Sequence, residues 1–109
     1  MANTFKLKTK ANVGVTTEGI YTAPAATTTV VIGITMANTS GSGVNVGVGI
    51  TRAGTTEDVK LLKNAPIPSG SSLEFMSGNK IVLEATDTVV VDSDTNNSVD
   101  AALTIMEIT

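Results

Sequence analysis

Glu84, Asp87 and Asp92 lie close together in the C-terminal third of the chain. Two carboxylates at a fixed separation beside a groove could act as acid and base on a glycosidic bond. Such sites usually offer aromatic platforms to a sugar, and this chain has one Tyr and two Phe. The supply of aromatics speaks against that chemistry. Just beyond, Asp92-Ser93-Asp94-Thr95-Asn96-Asn97 opens like a calcium loop. An EF-hand needs Gly at its sixth position and a bidentate Glu at its twelfth, where this sequence has Asn97 and Leu103. The EF-hand is excluded, and the readings left are a surface cation on this loop or a solvated turn.

The sequence contains no His and no Cys. A Ser or Thr nucleophile therefore lacks an imidazole base, and most zinc, copper, haem and iron–sulfur ligation is removed. Gly41-Ser42-Gly43 is neither a dinucleotide fingerprint nor a P-loop, since no helix follows and no Lys is placed for phosphate. Catalysis, a cofactor, a metal centre and a small-molecule substrate are all unexpected.

Net charge is −3, which argues against nucleic acid as the main partner. Lys6, Lys8 and Lys10 open the chain without an acid among them, whereas after Lys80 every charge is acidic. This asymmetry reads either as solvated strand faces or as a basic arm docking on an acidic surface of a neighbour. The N-terminus has no apolar core of a secretory signal, and no apolar run is long enough to cross a bilayer. A membrane partner is not expected.

The side chains must be positioned by strands. Val, Ile and Thr dominate the 109 residues, and β-branched side chains pack well on a pleated surface. The length suits one domain, with a folded surface of roughly 5,600 Å². Alternation marks Phe5–Lys10, Thr28–Ala37, Val44–Arg52, Val59–Lys63, Leu73–Met76, Ile81–Ala85, Thr88–Val91 and Val99–Ile108, with weaker strands at Val13–Thr16 and Ile20–Thr22. Val30, Ile32, Ile34 and Met36 are expected on one buried face, as are Val44, Val46, Val48 and Ile50. Pro66-Ile67-Pro68-Ser69-Gly70 reads as a crossover or loop, and Ser77-Gly78-Asn79 as a tight hairpin. The expected fold is an all-β, two-sheet antiparallel β-sandwich, jelly-roll or immunoglobulin-like, with about eight short strands. Residues 1–12 form an arm or strand, and residues 13–109 the single domain.

Two irregularities bear on binding. Val99, Ala101, Leu103 and Ile105 share a face, yet Glu107 stands where the next apolar residue is due, and Met106 and Ile108 fall opposite. That slip predicts a β-bulge or a second buried face against a partner. If Thr28–Ala37 and Val44–Arg52 pair as a hairpin, Ile34 sits opposite Val48, Gly33 opposite Gly49 and Thr35 opposite Gly47. The result would be a flat, small-residue patch open to another backbone. The alternative is that the two strands lie in opposite sheets. The candidate protein interface is Phe5, Lys6, Leu7, Lys8 and Lys10 with Gly33, Gly47 and Gly49.

The order of several segments resembles a known family. Ile20-Tyr21-Thr22-Ala23-Pro24-Ala25, Thr29-Val30-Val31-Ile32-Gly33-Ile34 and Ala37-Asn38-Thr39-Ser40-Gly41-Ser42 open it. Ala65-Pro66-Ile67-Pro68-Ser69-Gly70-Ser71-Ser72-Leu73, Gly78-Asn79-Lys80-Ile81-Val82-Leu83-Glu84-Ala85-Thr86-Asp87 and a last strand ending at Glu107-Ile108 complete it. Over residues 13–108 the chain resembles small β-sandwich virion proteins of tailed bacteriophages, of the capsid-decoration or tail-accessory kind. Related proteins often have Gly where this chain has Thr86, which leaves that turn open. The resemblance implies no catalysis and docking onto a virion. The favoured role is a capsid decoration (cement) protein on the outside of the head, made in the host cytoplasm. A tail, neck, baseplate or fibre component is the alternative, and a host-recognition or glycan-binding module a third. The implied partners are the major capsid protein or other virion proteins, with a homo-oligomer, such as a trimer, in keeping with that role.

Overall fold

A computed structural model describes residues 3–53, 57–75 and 80–109. The described residues form nine strands: β1 (Asn3–Val13), β2 (Glu18–Thr22), β3 (Thr28–Asn38), β4 (Val44–Arg52), β5 (Glu57–Ile67), β6 (Ser72–Phe75), β7 (Ile81–Leu83), β8 (Thr88–Ser93) and β9 (Val99–Ile108). One sheet has the order β1-β9-β3-β6, with β7 also on β3, and the other has the order β2-β8-β4-β5. Every pairing is antiparallel. First pairs with last, second with eighth, third with sixth and seventh, and fourth with fifth. That nesting is one long hairpin ribbon wound on itself, so the sandwich is a jelly roll. Its surface, 5793 Å², agrees with the size scaling.

The β-branched composition fills the space between the sheets. Val44, Val46, Val48 and Ile50 of β4 are buried as expected, facing Val31, Ile34 and Met36 of β3 and Val99, Ala101, Leu103 and Ile105 of β9. Among the described side chains Tyr21 is the one aromatic ring in this core, and stiff, compact side chains from the two pleated faces interdigitate to fill the rest.

The expected face of β3 is half wrong. Thr29 and Val31 point inward with Ile34 and Met36, while Val30 and Ile32 are only half-buried. The register against β9 shifts between Val31 and Gly33. The extra residue, Ile32, exchanges the faces of the strand on either side of it. The expected bulge at the end of β9 is absent there, since β9 alternates without interruption to Ile108. Of the two placements open to β3 and β4, a shared hairpin is excluded and opposite sheets are found. The Asn38–Gly43 segment passes between layers. Asn38 fixes the crossing: its side-chain nitrogen donates to Ser42 O and to Ile67 O of the opposite sheet, at 2.8 and 2.9 Å. Val13 ends β1, and no strand forms over Gly14–Thr16. Pro66 lies inside β5 rather than in a loop, opposite Asn45. The missing N–H is tolerated because β5 is an edge strand. The hairpin expected at Ser77–Asn79 falls outside the described residues.

Thr86 has φ of 70°. The turn thus adopts the left-handed backbone that a glycine would take freely, with a β-branched residue in it. Two backbone hydrogen bonds hold it there, Thr86 N to Ala23 O at 2.8 Å and Ala23 N to Asp87 O at 2.9 Å, with Ala23 itself fully buried. Left-handed strain in an L-residue costs about 1–2 kcal/mol, of which glycine's greater unfolded freedom returns part. Thr86→Gly is therefore expected to stabilise the fold by roughly 0.5–1 kcal/mol. Urea unfolding of the two proteins measures this, and an unchanged or lower midpoint for the variant would contradict the strain argument.

Candidate functional site

The uninterrupted alternation of β9 carries Glu107 into the interior, where it is 7% exposed. A buried carboxylate needs partners, and β2 and β1 supply them. Tyr21 of β2 reaches across from the other sheet, and its hydroxyl donates to Glu107 Oε2 at 2.6 Å. The same hydroxyl lies 2.8 Å from Thr29 Oγ1 on β3, the residue in register with Glu107. Lys6 of β1 closes the cluster with its Nζ 2.9 Å from Glu107 Oε1. The Tyr21 hydrogen bond, then the Lys6 contact, hold the Glu107 carboxyl below its ordinary range. Burial, with the carboxylate alongside, pushes the Tyr21 hydroxyl up to about 12. A tyrosine so raised and a glutamate so lowered are both poor proton-transfer groups near neutral pH. The arrangement is a latch between the sheets.

The carboxylates singled out from sequence are divided. Glu84 and Asp87 converge on Arg52 of β4: Glu84 pairs with the guanidinium Nη2, and Asp87 Oδ2 lies 3.0 Å from Nε. That second contact is an ion pair whose N–H is not aimed as a hydrogen bond. Asp87 Oδ2 also accepts from Glu84 N at 3.0 Å, which closes the turn. Asp92 stands at the other end of β8, accepting from Thr17 Oγ1 at 3.0 Å. No pair flanks a groove with both carboxylates free, so acid–base work on a sugar has no geometry here. Glu84 and Asp87 do line a hollow of about 360 Å³, together with Arg52, Ile50, Val59, Ile81, Val82 and Leu83, but both are tied to Arg52 there. In the calcium-like loop, Asp94 Oδ1 caps Asn45 N at 3.1 Å, and Ser93 and Ser98 bond each other at 2.7 Å. Among the described residues no three acidic side chains gather as metal ligands.

The interface candidates separate onto three surfaces. The expected N-terminal arm is β1, paired with β9 from Asn3 to Lys10 as an edge strand of its sheet. Lys6, Lys8 and Lys10 share the core-side face of β1. Lys6 is held by Glu107, and Lys10 by Glu18 at 3.0 Å. Phe5 and Leu7 point the other way and are 69% and 64% exposed. Gly33 lies on that same outer face with open space where a Cβ would be. Gly47 and Gly49 face outward from the other sheet, yet both are covered. A Cβ on Gly49 would meet Val59 O at 2.8 Å, and one on Gly47 would meet Asp92 Oδ1 at 2.6 Å. The bulges of β5 bring its carbonyls over β4, so the flat patch expected there is occupied by the chain's own backbone.

Two features escaped the sequence reading. One is the Tyr21–Glu107 latch, whose only signal was the acid out of place at the end of the last strand. The other is an apolar row across the outer face, Phe5 beside Met106, Met106 beside Val30 and Val30 beside Val82. Finding it required the register of four strands.

No family model and no curated protein matches the sequence. Solved structures do share the fold. A chain of the Bacillus endospore appendages that form disulfide-linked pili aligns with TM-score 0.57 and 15% identity, over 99% of this chain and 87% of that one. A chain of the cyanophage Pam1 capsid asymmetric unit aligns with TM-score 0.55 and 17% identity, over 95% and 85%. A chain of the T13 IBDV viral particle aligns with TM-score 0.59 and 13% identity, over 96% of this chain but 30% of its own length. At these identities the likeness is one of fold. The 109 residues contain no cysteine, so the disulfide linkage of those pili has no counterpart within them.

Two sets of variants test these geometries. Gly49→Ala should cost about 1–3 kcal/mol, because the obstacle is backbone, whereas Gly33→Ala should stay within about 0.5 kcal/mol. Equal losses in thermal unfolding would contradict the difference in cover. Tyr21→Phe leaves Glu107 short of a donor in the interior and should cost about 1–3 kcal/mol. The pH dependence follows in sign. Glu107's contribution is present above its unfolded pKa, near 4.5, and is lost as pH falls through its depressed value. Tyr21's contribution is full below 10.0 and is lost as pH climbs from there to about 12. Stability measured against pH should lose its alkaline Tyr21 limb, and part of its acid limb, in Tyr21→Phe; identical profiles would refute the latch.

Proposed function

We propose that this chain is a non-enzymatic structural protein of a virion, decorating the outside of a capsid. The observation that carries this reading is the likeness to a chain of the cyanophage capsid asymmetric unit. It spans nearly all of both chains, so a protein of similar length with the same wound ribbon has a place in a phage shell. The polar clusters support it from the other side. Each one found, Tyr21–Glu107, Arg52–Asp87 and the loop after β8, is spent on holding the fold.

The mechanism in this reading is passive. Each copy buries area across joints between subunits of the major capsid protein and so stabilises the assembled shell over its parts by mass action. The docking element is the free edge of β1. Its unpaired backbone groups would add to the sheet edge of a shell subunit, with Lys6, Lys8 and Lys10 alongside to favour an acidic neighbour. A tail, neck, baseplate or fibre component is the second reading. It is favoured by the end-to-end likeness to a chain from a filament.

Quantitative mass spectrometry of purified particles, against the major capsid protein, separates the readings. Decoration predicts a copy number equal to that protein's or a simple fraction of it. A handful of copies per particle would transfer the chain to the tail or neck, and absence from particles would overturn a virion role.

A further inference from the structure

We propose that the outer face of the β1–β9–β3 sheet is a contact between two copies of this chain, packed face to face about a two-fold axis. This goes beyond the virion reading and does not depend on it. The first observation is the chemistry of the face. Outward positions of β1 from Asn3 to Thr9, of β9 from Ala102 to Ile108 and of β3 from Thr28 to Ala37 are all uncharged. Among the described residues charge borders the face in Asp100 and Glu74 and in the exposed Lys80 just before β7. The outer face of the other sheet instead carries Asp58, Lys60 and Asp92. A solvated face of an antiparallel sheet is normally polar, and depletion of charge is what marks the centre of a protein interface.

The second observation is relief. Phe5 and Leu7 stand up at one end of the face, exposed by 69% and 64%. Towards the other end is a hollow of about 330 Å³, lined by Thr9, Ala11, Thr35, Ala37 and Ala102 and also by the charged Lys10 and Asp100. Gly33, with no atom within 4 Å of where its Cβ would be, lies across Thr104 from Leu7. A two-fold axis in the plane of the face and across the strands turns one copy end for end. It sets the raised end of each copy into the hollow of the other, which makes the contact isologous and self-limiting. A single flat face offers no comparable route to a ring of three. The three long strands β1, β9 and β3, about 4.8 Å apart and about 30 Å long, present roughly 430 Å² per copy, about 860 Å² in the pair. That is the size of a weak, reversible contact. Pairing of two β1 edges is the poorer way to join copies, because it would bring lysines against lysines.

Sedimentation velocity on the 109-residue chain tests the contact. The wild type is expected to be a dimer that dissociates on dilution. Phe5→Lys and Ala102→Glu, at opposite ends of the face, are each expected to weaken the dimer at least about tenfold while melting as the wild type does. Mixed one to one, they should recover a heterodimer, since one of its two contacts then pairs Lys with Glu and the other is wild type. Leu7→Lys serves in place of Phe5→Lys if that variant melts early. A wild type that is monomeric at ~100 µM, a trimer, a dimer indifferent to the variants or a mixture that stays monomeric would each overturn the proposal. Particle occupancy lost with Phe5→Lys in an otherwise monomeric chain would give the face to a shell protein instead.

Discussion

A carboxylate stands in the interior at the end of the strand that holds one sheet together. β9 is flanked on both sides, by β1 and β3, so it cannot twist away to release Glu107 to solvent. Its partners come from both sheets, Tyr21 of β2 and Lys6 of β1, with Thr29 of β3 bonded in turn to the Tyr21 hydroxyl. The requirement for Lys6 has a consequence for the surface. Alternation along β1 is strict, so a lysine on the core side at position 6 turns Phe5 and Leu7 outward. The apolar outer face is thus the other side of the same constraint that satisfies the buried acid.

Edges are managed by separate devices. β1 carries alternate lysines, β5 carries Pro66 and two register shifts, and β3's far side is shared by the short strands β6 and β7. Short, bulged or charged edges resist pairing with stray strands. β1 and β5 are both eleven residues long, but β1 pairs without a shift from Asn3 to Lys10 where β5 is bulged, so the unpaired side of β1 makes the more usable edge. Its lysines discourage a second β1 more than they discourage an acidic strand. The wound topology also has a kinetic price: first must find last before β9 is complete, and such non-local pairing folds slowly.

What was legible in the sequence depended on strands whose neighbours did not disturb them. β4 reads cleanly because Val44, Val46, Val48 and Ile50 alternate with small residues, and β9 reads correctly up to Ile105. β3 misled because its apolar run, Val30 to Ile34, fits either face. The choice was made by a bulge at Ile32 that only the pairing with β9 reveals. Sequence leaves the placement of β3 against β4 open because the intervening Gly- and Ser-rich segment suits a turn equally well within a sheet or between sheets. Asn38 decides for the latter by hydrogen bonding to Ile67, 29 residues away. The displaced acid at the end of β9 is visible in the sequence, where it points to a bulge or to a partner's face; the tyrosine that accounts for it lies 86 residues earlier. Local pattern carries periodicity; it does not carry the partner across the core.

The two outer faces show how one wound ribbon can be given different work. Core positions are fixed by the need to fill the space between the sheets with β-branched side chains, and those positions leave the outward ones free. On the β2-β8-β4-β5 sheet the freedom went inward: glycines at 47 and 49 let the bulged β5 lie over β4, and charged residues finish the surface. On the other sheet no strand covers the face, and small residues, one open glycine and two raised apolar side chains take the outward positions. Exposed apolar area of this extent, uncharged and contiguous in register across four strands, is costly in a chain that stays alone in water. With no thiol to make a covalent link, association through this face has to come from area and fit. Both favour a partner that is itself flat, uncharged and complementary in relief, and the nearest surface of that description is the same face on another copy.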